Sequence, residues 1–160
     1  MLTANSATGV DRSSNIEEIV HDAVLIALIV RREMRAPTVQ FFTPADSPLQ
    51  LGCMSHPQGH VIAAHEHVPV SHLVTKAQEV LVIRRGKVRV DLYAQDGQFL
   101  SAHILREGDV ILLAAGGHGF EAIEDLEMLE IKQGPYLGTH EKRPIEVTPH
   151  SESLFQENSK

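Results

Sequence analysis

The chain opens on a polar stretch, Met1 to Asn15, rich in Ser, Thr, Asn and Ala. This composition predicts a tail without fixed structure. Ile16 to Val20 reads as one helical turn, with Ser14 or Asn15 as its cap. The apolar run VLIALIVR over residues 24–31 is too short for a typical helix and carries β-branched members. It reads as a buried strand. Val39 to Phe42 reads as a second short strand, and Pro37, Pro44 and Pro48 break this region into small pieces.

From Leu49 the apolar and polar positions alternate. Strands are predicted at Leu49–Met54, His60–His67, Glu79–Ile83, Lys87–Tyr93, Phe99–Leu105, Val110–Leu113, His118–Ala122 and Leu126–Gln133. The breaks between them carry turn residues: Pro57-Gln58-Gly59, Gly86, Asp96-Gly97, Gly108-Asp109 and Gly116-Gly117. Short strands at regular spacing predict an all-β sandwich or barrel, not a parallel sheet with helices. Residues 16–148 are expected to form one domain between tails at 1–15 and 149–160. Free strand edges favour pairing between protomers, so a homodimer is expected, with VLIALIVR as a candidate for exchange.

Composition narrows the function. The formal charge is -7 and aromatics are 4% with no Trp. An acidic chain with few stacking rings disfavours a nucleic-acid partner. No apolar run approaches the roughly 20 residues that span a bilayer, and the start lacks the basic and apolar regions of a signal peptide. The expectation is a cytoplasmic protein without membrane contact. The one cysteine, Cys53, cannot form an internal disulfide and reads as a small apolar residue.

Histidine is abundant, with 10 in 160 residues. His65 and His67 stand two apart on a predicted strand, so both side chains share one face with the apolar Val61 and Ala63. Imidazoles on an apolar face need a partner, and a divalent metal would satisfy both. Glu79 shares its face with Leu81 and Ile83, and His118 shares its face with Phe120. Three imidazoles and a carboxylate suit Fe, Mn or Ni with two positions open, or Zn in a closed tetrahedral site. His21, His103, His140 and His150 read as surface residues; His56, His60 and His72 are left open.

At this point two motifs resemble those of the cupin superfamily. The first is a Gly, five residues, His-x-His, a spacer, Glu, six residues and Gly; here it is Gly59, His65-Glu66-His67, Glu79 and Gly86. The second is the run GDVILLAAGGHGFEAI, which leads from Gly108-Asp109 to His118. The resemblance covers about residues 50–136. It implies a double-stranded β-helix, or jelly-roll barrel, and a divalent metal held by His65, His67, Glu79 and His118. Three departures stand out. The spacer between His67 and Glu79 is eleven residues, VPVSHLVTKAQ, much longer than usual. Ala114 and Ala115 stand where the second motif has Pro, with the glycines one residue closer to His118. Ala122 replaces the usual Asn.

The run QEVLVIRRGKVRVDLY, with GDVILLAAGGHGFE and IKQGPY, is similar to bacterial cupin-fold metalloproteins, mostly of unassigned function, some of which sit among surface-polysaccharide or nucleotide-sugar genes. With two positions open on the metal for substrate, a metalloenzyme of the oxygenase or isomerase and epimerase type is expected, acting on a small molecule such as a sugar or a carboxylic acid. Glu130, Lys132, Tyr136 and His72 are its candidate acid–base residues. The alternative is a binding module without turnover. A third option follows from cupin-fold epimerases, which use a His–acid pair and no metal.

Overall fold

The computed structural model describes residues 15–71, 73–134, 138 and 142–147. Among these residues the regular structure is all β and every strand pairing is antiparallel. The strands are β1 (Ile16–His21), β2 (Val24–Val30), β3 (Val39–Phe41), β4 (Gly52–Met54), β5 (Glu79–Arg85), β6 (Lys87–Tyr93), β7 (Phe99–Arg106), β8 (Val110–Leu113), β9 (Gly117–Ala122) and β10 (Glu127–Lys132). They form a five-stranded sheet ordered β1-β2-β8-β5-β10, a three-stranded sheet ordered β7-β6-β9, and a two-stranded ribbon of β3 and β4. The sheets are open rather than closed into a barrel. Among the described residues no helix is long and apolar enough to cross a membrane.

One buried cluster joins the two larger sheets. Ile26, Ile29, Leu81, Ile83, Ile111 and Leu113 from the five-stranded sheet meet Val88, Val90, Leu92 and Leu105 from the three-stranded one. Leu81 and Ile83, Val88, Val90 and Leu92, and Ile111 and Leu113 alternate along their strands, as a face buried on one side requires. The other face of the five-stranded sheet has its own cluster of Leu28, Val80, Leu112 and Ala114, against which Phe42, Leu49 and Leu51 pack. The VLIALIV strand is therefore buried on both faces. It also pairs on both edges, with β1 and β8.

Two expectations are corrected. Residues 16–20 are a strand, not a helical turn. They pair with β2 through a two-residue hairpin loop, Asp22-Ala23, in which both residues have positive φ, 48° and 61°. Left-handed geometry at both loop positions matches the twist of a hairpin, but Asp-Ala lacks the glycine that usually signals it. Residues 60–67 are not a strand. No ladder partner meets them among the described residues, and they run exposed and irregular. Alternation alone does not hold a strand; pairing and burial do.

From β5 onward the chain crosses between the two larger sheets at every connection except the β6–β7 hairpin, and glycines stand at several of the corners. Gly86 joins β5 to β6 with φ +83°, and a Cβ there would stand 2.0 Å from the carbonyl oxygen of Asp125. Gly116 joins β8 to β9 with φ +74°, and a Cβ would stand 2.2 Å from the Tyr93 oxygen. Only glycine combines that backbone with that clearance. Asp109 locks a third corner. Its carboxylate accepts from Arg31 Nη1 and from the backbone N–H groups of Arg32 and Arg106, each at 3.0 Å. The Gly-Asp of the second motif thus has a structural task.

Candidate functional site

Glu79 begins β5, with Leu113 of β8 and Lys132 of β10 as its cross-strand neighbours. Its parity with the buried Leu81 and Ile83 turns it toward the space between the sheets, as the sequence predicts. His118 lies opposite Leu92 on β6, and Leu92 is fully buried, so His118 also faces inward. The two meet at the end of the sandwich: His118 Nε2 is 3.8 Å from Glu79 Oε2, with the side chains 29% and 19% exposed. Phe120, two residues on, tilts against the imidazole with ring centres 5.1 Å apart.

The charges around this pair are mixed. Glu130 and Lys132 share the inward face of β10 with Glu79's neighbours and approach each other to 3.5 Å. Burial pushes the His118 imidazole below the ordinary histidine range. The Glu79 carboxylate pulls it back up, Lys142 adds to the lowering, and Glu130 opposes it. The net result is a neutral ring near pH 7, with a nitrogen lone pair free to accept a proton or bind a cation. Lys142 belongs to the segment 142–147, which runs past this mouth: a Cβ on Gly117 would stand 2.5 Å from Ile145 Cδ1.

The other predicted ligands stand apart. His65 and His67 lie on the exposed segment, their ring centres 5.3 Å from each other, and His65 Nδ1 is 2.9 Å from the Ala63 oxygen. Among the described residues no three His, Cys, Asp or Glu side chains gather as a metal-binding group. The structure thus brings together Glu79, His118, Glu130 and Lys132, and leaves His65 and His67 outside. Tyr136 and His72 lie outside the described residues.

Sequence reading missed three features. Gln78 braces the entrance: its backbone N–H donates to Gln133 Oε1 at 2.9 Å and its Nε2 donates to the Ala114 oxygen at 3.3 Å. Lys142 was hidden because only the fold carries the chain back past the site. His103, read as a surface residue, is one-tenth exposed. It sits 3.5 Å from Glu17 Oε2 and 2.9 Å from Ser101 Oγ. Arg31 Nε donates to the other Glu17 oxygen at 2.7 Å. This chain of contacts clasps β1 to β7, where neither edge has a further strand among the described residues. The available signal was the parity of Ser101, His103 and Leu105 on one face of β7.

A cavity of about 400 Å³ lies elsewhere, at the opposite end of β5 from Glu79, lined by Arg31, Arg32, Gly86, Lys87, Arg106 and Asp109 among others. Its volume does not make it the functional site. Arg31 is bound to Asp109 at 3.0 Å and Lys87 to Glu124 at 2.6 Å, so its charges are largely neutralised from within. Compared with protein-family models, with curated proteins and with solved structures, the chain matches none of them.

Proposed function

We propose that this chain is a metal-binding protein of the cupin type, with its small-molecule site at the sandwich mouth where Glu79 meets His118. The observation that carries the reading is the convergence of a half-buried carboxylate and a neutral imidazole from two different sheets, 3.8 Å apart. Both are good donors for a divalent ion such as Fe, Mn, Ni or Zn. As arranged, the four expected ligands do not form one coordination sphere: Glu79 and His118 stand together, and His65 and His67 stand apart from them. No chemical step is therefore derived through a metal. Lys132, on the same inward face, suits the binding of a carboxylate or another anionic group on the ligand. Turnover by an oxygenase or isomerase would draw on Glu130 or Lys132 for proton transfer. A homodimer would use a sheet edge left open among the described residues, such as the outer side of β10.

Titration calorimetry with Mn(II), Ni(II) and Zn(II) tests the metal reading. One ion per chain is expected, with the affinity lost in Glu79→Gln and in His118→Ala. Unchanged affinity in both variants would remove the metal from this site.

The same pair supports a second reading. A His–acid pair without a third ligand is also the arrangement of a metal-free acid–base site. Activity on a small acid or sugar that survives chelation and is lost in His118→Ala would favour it.

A further inference from the structure

We infer that Ser101, His103 and Glu17 form a second reactive site, at the edge of the sandwich where β7 meets β1, with Ser101 as a nucleophile toward small uncharged carboxylic esters. The inference is independent of the metal reading at the mouth.

The three side chains form one chain of contacts. Ser101 Oγ is 2.9 Å from His103 Nε2, and the other ring nitrogen, His103 Nδ1, is 3.5 Å from Glu17 Oε2. A carboxylate only accepts, so the nitrogen that faces Glu17 carries the ring proton. Nε2 then holds the lone pair, and Ser101 donates to it. A hydroxyl on a base that is oriented by an acid is the arrangement that activates a serine. Glu17 is itself fixed in place. Arg31 Nε and Nη2 both approach its Oε1 at 2.7 Å, which leaves Oε2 to the histidine.

Holding β1 to β7 does not require this relay. Arg31 Nη1 also donates to the Ile104 oxygen at 2.9 Å, so Arg31 alone already ties Glu17 of β1 to β7. The imidazole and carboxylate are nonetheless taken largely out of water, 10% and 15% exposed, while Ser101 is half-buried at the end of the relay.

The backbone supplies an oxyanion donor. The N–H and C=O of one strand residue point to the same side, and those of the next residue to the other. Ile104 turns its oxygen away from β6 to Arg31. Ala102, two residues earlier in the same unbroken register, turns its N–H the same way. β7 has no strand on that side among the described residues. The Ala102 N–H directly follows Ser101 and is placed to donate to a carbonyl oxygen that Ser101 attacks. Arg31 is held by Glu17 and Asp109, so the cation here is already neutralised, which favours an uncharged substrate.

The steps balance. Ser101 Oγ bonds to the carbonyl carbon as its proton passes to His103 Nε2. The ester C–O bond breaks, and the alkoxide leaves as an alcohol with that proton. Water then attacks the acyl-serine, giving one proton to His103. The C–Oγ bond breaks, Ser101 takes that proton back, and a carboxylic acid leaves.

A fluorophosphonate probe, which phosphonylates an activated serine with loss of fluoride, tests the nucleophile on the full chain in the presence of chelator. One adduct per chain is expected, mapped by peptide mass spectrometry to Ser101. No adduct, or an adduct only at another residue, overturns the inference. Hydrolysis of p-nitrophenyl acetate is the second measurement, on variants whose fold is checked by circular dichroism. Ser101→Ala should abolish it, and His103→Gln should slow it by about a hundredfold; the parent rate in Ser101→Ala overturns the inference. Glu17 acts through the histidine as a positioning residue. Glu17→Gln is therefore expected to lower kcat by about tenfold or more with KM unchanged, whereas lower stability with unchanged kcat would show that Glu17 only clasps the strands and would overturn its place in the relay.

Discussion

Glu79 Oε2 and His118 Nε2 lie 3.8 Å apart, though 39 positions separate them in sequence and each belongs to a different sheet. Burial of the pair keeps the imidazole neutral, and the neighbouring carboxylates only partly offset this. A titration consequence follows for the metal-free chain. The folded His118 pKa is depressed below the ordinary value of 6.5. Below that value the unfolded chain binds the proton and the folded chain resists it. Stability contributed by the neutral ring is therefore present above pH 6.5 and lost as pH falls through the depressed folded pKa. Urea midpoints in the presence of chelator are expected to fall from pH 7.5 to pH 5, and to fall less in His118→Asn. An equal slope in both proteins would show that His118 is not the titrating group.

Asp109 joins the ends of three segments through its two oxygens and is buried, while Arg31 is mostly so. Asp109→Ala leaves the guanidinium and two backbone N–H groups without their acceptor. Removing one partner of such a pair costs about 3 kcal/mol or more, well above the cost of losing an exposed ion pair. Equilibrium denaturation should show a large loss for Asp109→Ala and almost none for Glu127→Ala, whose partner Arg85 is exposed and 3.8 Å away.

The corner glycines and the strand glycines should respond in opposite ways. Gly86→Ala meets both a positive φ and a backbone oxygen 2.0 Å from the new Cβ, and a loss of about 2 kcal/mol is expected. Gly119→Ala on β9 meets nothing within 4 Å. There the alanine reduces unfolded-chain freedom, and stability should hold or rise by up to about 1 kcal/mol. Thermal melts of the two variants measure the contrast.

The β1–β2 hairpin holds Ala23 at φ 61°, a conformation that costs an L-residue about 1 kcal/mol. Asp22→Asn with Ala23→Gly installs the loop pair that this geometry favours. The double variant is expected to unfold at a higher temperature, by a few degrees. A lower melting point would show that the strain is absent or offset elsewhere.

Most of the strand order was legible because local pattern and tertiary burial agree. From Glu79 to Lys132 each predicted strand appears within a residue or two of its expected bounds. The inward parity of Glu79 and His118 was legible for the same reason: Leu81, Ile83 and Phe120 share their faces. The failures fall where pattern lacked a partner. Residues 60–67 have the composition of a strand and put His65 and His67 at period two, yet no strand pairs with them among the described residues, and the two histidines stand apart from Glu79 and His118. Residues 16–20 look helical in isolation, and only pairing with the buried β2 makes them a strand.

By itself, then, the sequence determined the all-β class, the turns at Gly86 and Gly116, and the inward placement of one carboxylate and one imidazole. These follow from side-chain period and backbone sterics, which act over a few residues. Only the tertiary structure decided which edges are paired, that Asp109 serves as a structural anchor, that His103 is buried against Glu17, and that Lys142 returns to the mouth. Each depends on segments far apart in the chain, and no local pattern carries the free energy of bringing them together.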